Sequence, residues 1–129
     1  MFGPGEHRRP LLFGDAREIA DRHRARGDLL TNLRGANLTN SDLQGVNLRG
    51  ADLSDADLEG VLFMGADLRD CSMLRARLAA AEFWRPGLQP ARVAGLALHG
   101  AAVDDLLEDQ QVFLHQQGVL ADIPKELAT

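Results

Sequence analysis

From Ala36 to Asp70 the chain reads ANLTN SDLQG VNLRG ADLSD ADLEG VLFMG ADLRD, seven groups of five whose third member is Leu or Phe. The pattern extends both ways. TNLRG precedes it from Thr31, and CSMLR, ARLAA, AEFWR, PGLQP, ARVAG, LALHG and AAVDD carry it on to Asp105, making fifteen pentads. The third slot is apolar in all fifteen, ten times as Leu. With 45% hydrophobic residues in the chain, a streak of that length has a chance on the order of 10⁻⁵. Eight of the first slots are Ala, and eleven of the fifth slots are Gly, Asn or Asp, residues that tolerate the backbone angles of tight corners.

A period of five matches neither the 3.6 of a helix nor the 2 of a strand. It matches a short extended piece followed by a corner, with the first and third slots facing inward. Four such sides close a square coil, and coils stack at strand spacing, roughly 4.8 Å. Fifteen pentads give just under four coils and about 18 Å of solenoid. Every twentieth residue should then stack. The expected columns are Leu33/Leu53/Met73/Val93, Leu38/Leu58/Leu78/Leu98, Leu43/Phe63/Phe83/Val103 and Leu48/Leu68/Leu88. Phe63 and Phe83 fall in one column, where their rings can stack.

The tandem Ala-(Asp/Asn)-Leu-X-X pattern resembles the pentapeptide-repeat family, tightly from Ala36 to Asp70 and loosely to Asp105. The resemblance implies an all-β solenoid, a right-handed quadrilateral β-helix of about four coils. It implies little about activity, because a fold does not fix a function.

Such a tube exposes its core at both ends and needs caps. Residues 1–30 read as an extended, Gly/Pro-broken segment followed by a capping helix. Asp15 and Glu18 are spaced as a capping box; Ala16, Ile19, Ala20 and His23 share a face; Gly27 closes the helix. Residues 31–105 form the repeat. Residues 106–129 form a second capping helix and an apolar tail. Leu106, Leu107, Gln110, Phe113, Leu114 and Gln117 follow helical spacing, Asp104 or Asp105 caps the start, and Gly118 ends it. Val119, Leu120, Ile123 and Leu127 make the tail too apolar to stay free.

The rest of the 129-residue composition narrows the function. Net charge is −5, against a nucleic-acid binder held by phosphate contacts. No apolar run reaches the ~18 residues of a membrane span, and no signal peptide opens the chain, so we place the protein in a bacterial cytoplasm. The single Cys71 sits in an inward slot and reads as a small buried hydrophobe. His7, His23, His99 and His115 have no metal-ligand spacing, and no glycine-rich loop precedes a helix to hold phosphate. Neither a cofactor, a metal nor a catalytic constellation is expected.

Two surfaces remain. Leu62, Met64 and Trp84 are apolar residues in outward slots of one side, and Leu74 is another on a different side. Met64 and Trp84 lie twenty apart, which predicts Trp84 directly over Met64. Trp and Met are enriched in interface cores, so this side is the expected contact for another protein or a second copy, unless Leu11, Leu12 and Phe13 of the same chain cover it. A homodimer through the C-terminal tail is the other self-association. The alternative surface is acidic: Asp52, Asp55, Asp57, Glu59 and Asp67. Some pentapeptide-repeat proteins resemble duplex DNA in width and charge and bind DNA gyrase, and the resemblance extends that mimicry here as a second reading. The charge map limits it. Ala36 to Asp70 holds seven acids and two Arg, whereas Cys71 to Ala102 holds one acid and four Arg, so the sign reverses along the axis.

Overall fold

The computed structural model describes residues 32–120. The expected N-terminal helix, the segment before it, and Ile123 and Leu127 of the tail lie outside those residues. From Asn32 the chain winds in the four-sided coil that the period of five demands. Asn32, Asn37, Asp42 and Asn47, one from each side of the first coil, form parallel bridges to Asp52, Asp57, Leu62 and Asp67 of the second. Asp52, Asp57 and Leu62 bridge onward to Ser72, Arg77 and Glu82. Each side meets its neighbour through a single bridging residue, since a side three residues long leaves no room for an extended strand.

The corners follow from the fifth slot. The first-slot N–H of each pentad donates to the third-slot carbonyl before it, as in Ala36 to Leu33 at 3.0 Å and Ala51 to Leu48 at 2.9 Å. Between them the fifth slot carries φ near +60 to +75°, as at Gly35 (70°), Asn40 (61°) and Gly60 (71°). A four-residue turn with positive φ at its third position is the type II pattern, which selects Gly or Asn there. Gly60 has a second reason to lack a side chain, because a Cβ there would run into Oδ1 of Asn40 in the coil beneath.

The second slot has a structural task that its solvated position conceals. Oδ1 of Asn32, Asn37, Asp42, Asn47, Asp52, Asp57 and Asp67 accepts the N–H two residues on, at 3.0 to 3.2 Å. These Asx turns satisfy a corner donor that no coil neighbour reaches.

First and third slots fill the tube. Leu38, Leu43, Leu53, Leu58, Phe63, Leu68, Met73, Leu78 and Phe83 are fully buried. The Phe63 and Phe83 rings stack with centroids 5.2 Å apart and planes 17° from parallel, which sets the twenty-residue coil directly.

Beyond Phe83 the expected columns fail. Asp67 bridges to Arg92 and Ser72 to Ala97, each twenty-five residues on. The pentad Pro86–Pro90 has left the coil. Pro86 stands in a first slot, where an N–H must reach the Phe83 carbonyl, and proline has none. Pro90 stands in a fifth slot, whose positive φ proline cannot adopt. Ala91 takes the missing bond instead, donating to Phe83 at 2.9 Å. The expelled residues close their own turn, with Leu88 N–H on the Arg85 carbonyl at 3.2 Å and Gly87 at φ 80°, Pro and Gly filling the central positions that a type II turn favours. Leu88, expected over Leu68, is 45% exposed. Val93 takes its column, and Leu98 follows Met73.

At the C-terminal end a 3₁₀ turn over Val103–Asp105 leads to helix α1, Glu108–Gln116. Asp104 and Asp105 lie within that turn and do not cap α1; its N-cap is Leu107, which makes no side-chain bond. Leu107 is 59% exposed while Leu106 is buried, so the helical stripe begins later than the spacing predicts. Phe113 and Leu114 join the core of the coil. The helix ends as a Schellman motif on Gly118: Gly118 N–H bonds to His115 and Val119 N–H to Leu114.

Candidate interaction surface

Inside the stack, the N–H of each third-slot residue reaches a carbonyl of the next coil, as Leu43 does to Leu62 and Phe63 to Glu82. Phe83 has no next coil on its side. Gln110 of α1 supplies the substitute. Its Oε1 accepts from Phe83 N–H at 2.7 Å and Trp84 N–H at 3.1 Å, and its Nε2 donates to the Trp84 carbonyl at 2.8 Å. One buried carboxamide thus replaces a missing peptide unit and fastens α1 to the coil. Gln111 Nε2 adds a bond to the Leu106 carbonyl at 2.9 Å.

This clamp opens a groove of about 540 Å³ lined by Trp84, Glu108, Asp109, Val112, Phe113 and Gln116. Trp84 is half-buried and packs on the core. Beside it, Arg85 forks onto Glu82 at 2.6 to 3.0 Å, so that arginine is engaged within its own side. Of the other expected contact residues, Met64 is buried at 3% exposure despite its outward slot, and Leu62 and Leu74 are half-buried. Leu74 is on a different side. The Met64 carbonyl accepts the Gly45 N–H of the coil beneath, whereas the Trp84 carbonyl accepts from Gln110. The sequence reading missed Gln110, Val112 and Phe113 as neighbours of Trp84.

The acidic residues are dispersed. Asp52 stands on the first side, Asp57 and Glu59 on the second, Asp67 on the fourth. Asp55 receives both Nε and an Nη of Arg75, at 2.8 and 3.1 Å, with Arg34 at 3.4 Å. The Arg75 bonds, followed by its charge and that of Arg34, hold the Asp55 carboxyl below its ordinary value. Asp67 is forked by Arg69 at 2.9 and 2.8 Å, which lowers its carboxyl likewise.

Cys71 is buried with Sγ 2.8 Å from the Leu48 carbonyl, and burial pushes its thiol up to about 12. At that value it stays protonated and unreactive near neutrality. Among the described residues no group of three or more His, Cys, Asp or Glu is placed to hold a metal ion, and no helix is long and apolar enough to cross a membrane.

A family model for pentapeptide repeats matches residues 31–70 in eight copies. Residues 31–70 are a run of pentapeptide repeats. Among solved structures it is similar to a pentapeptide repeat protein of the Arabidopsis thaliana thylakoid lumen, with 28% identity, 76% of this chain covered and a TM-score of 0.56. The chain spans 65% of the length of that structure. It is also similar to Rfr23 of the cyanobacterium Cyanothece 51142, at 23% identity over 57% of this chain and 46% of that one, with a TM-score of 0.48. QnrB1, a plasmid-mediated fluoroquinolone resistance protein, matches at 16% identity over 68% of this chain and 46% of that one, with a TM-score of 0.38. No curated protein matches the sequence.

Proposed function

We propose that this pentapeptide-repeat protein is a non-enzymatic, rigid binding module that holds another protein at the groove between Trp84 and α1. We read its coil as right-handed, in keeping with the family. The observation that carries the proposal is the Gln110 clamp, which fixes an accessible tryptophan beside Val112 and Phe113 on a scaffold whose interior is filled by side chains. Tryptophan on a pre-organised surface loses little conformational freedom on binding. The repeat itself offers no chemistry: its second-slot Asp and Asn side chains are committed to corner N–H groups, and its cysteine is a buried thiol.

Gyrase-directed mimicry of DNA has less support. A mimic needs ionised, unpaired acids along one face, since duplex DNA carries a charge every ~1.7 Å. Here Asp55 and Asp67 are clasped by arginines, and Asp52, Asp57 and Glu59 stand on two sides.

The test is to identify co-purifying proteins by mass spectrometry, then titrate the purified candidate against wild type and Trp84→Ala. We expect Trp84→Ala to weaken binding by about tenfold or more, the cost of a contact worth at least ~1.4 kcal/mol, with unchanged circular dichroism. Equal affinity for the two proteins would refute the reading.

A further inference from the structure

The groove has an acidic rim. Glu108 and Asp109 stand exposed beside Trp84, Val112 and Phe113. With Asp104 and Asp105 they place four carboxylates within six residues, and among the described residues no arginine or lysine pairs with any of them. An apolar floor with an acidic edge suits a short peptide in which basic side chains adjoin apolar ones. Such a peptide exists in the same chain, where the sequence runs His7-Arg8-Arg9-Pro10-Leu11-Leu12-Phe13.

We propose that Arg8–Phe13 of this chain docks intramolecularly in the Trp84–α1 groove, with Arg8 and Arg9 toward Glu108 and Asp109 and the apolar residues on Trp84 and Phe113. Reach permits it. Eighteen residues, 14–31, separate the segment from the first coil; extended they span up to about 60 Å, and wound entirely as helix about 27 Å. The third coil stands only two spacings, about 10 Å, beyond the first. A tether of this kind supplies an effective concentration on the order of millimolar, so a weak contact suffices to fill the groove. The segment then acts as an internal competitor that a protein partner must displace. This rests on the reading of the groove as a binding site.

Trp84 is the only tryptophan, so its fluorescence reports on the groove. In the full chain, Arg8→Glu with Arg9→Glu should shift Trp84 emission to the red and raise its quenching by acrylamide. Adding Glu108→Lys and Asp109→Lys to that variant should reverse both changes, since the charges pair again with signs exchanged. A synthetic peptide of residues 7–13 added to the first variant should also reverse them, a readout that does not depend on the lysine variant folding. Unchanged quenching in Arg8→Glu/Arg9→Glu would overturn the proposal. So would quenching that varies with protein concentration alongside a dimeric mass, which would assign the segment to a second copy. Loss of partner binding in Trp84→Ala leaves these outcomes independent: the groove then binds proteins whether or not its own segment fills it.

Discussion

Ala80 holds φ at 59°, in a fifth slot where most other pentads place Gly, Asn or Asp. The left-handed region costs an L-residue with a Cβ about 1–2 kcal/mol, partly offset by the greater chain entropy that glycine loses on folding. Ala80→Gly is therefore expected to raise stability by about 0.5–1 kcal/mol, measured by urea unfolding. Arg75 carries the same angle, 59°, but its side chain clasps Asp55. The Asp55 carboxyl sits below 3.8 in the folded chain. Its contribution is thus present above its unfolded value and is lost as pH falls through the folded one. Arg75→Ala should move the Asp55 titration, followed by NMR, up toward 3.8; an unmoved titration would dismiss the clasp. At this scale the apolar third slot and small first slot were plain in the sequence. The second slot was legible in identity but not in use. Its Asp and Asn look like solvated surface, and only the corner geometry shows an N–H within reach of each.

The expulsion of Pro86–Pro90 decides how the elements beyond Phe83 lie. Both prolines stood in slots that they cannot serve, and Arg85-Pro86-Gly87-Leu88 carries the signature of a self-contained turn. Leu88 masked the signal by keeping the third slot apolar. The spacing of Phe113 and Leu114 located α1, yet its start moved to Glu108 because Asp104 and Asp105 entered a 3₁₀ turn. Gln110 was chosen as part of a helical face with no hint of its bonds. Its partners are unpaired only because the coil lacks a further turn on that side, a tertiary fact absent from local sequence. Gln110→Leu keeps the volume and strands the buried Phe83 N–H and the Trp84 carbonyl. We expect a loss of about 1–3 kcal/mol by thermal or urea unfolding, together with a red shift of Trp84 emission as α1 loosens. A neutral substitution would mean that α1 is held by Phe113 and Leu114 alone.

For the molecule as a whole, the repeat carried the fold because each pentad specifies the same side, corner and lining, and errors in one are outvoted by its neighbours. The binding surface was less legible because it arises where that regularity stops, at Trp84, the expelled pentad and the first turns of α1. The central claim is that the coil is twenty residues long through Phe83 and then admits one pentad more. Scalar couplings across hydrogen bonds, measured by NMR on labelled protein, test it most directly. The amide of Leu48 should couple to the carbonyl of Asp67, and the amide of Leu68 to the carbonyl of Arg92. A coupling from Leu68 to the carbonyl of Gly87 would mean that the pentad remains within the wall of the tube, and would contradict both the fold and the surface derived from it.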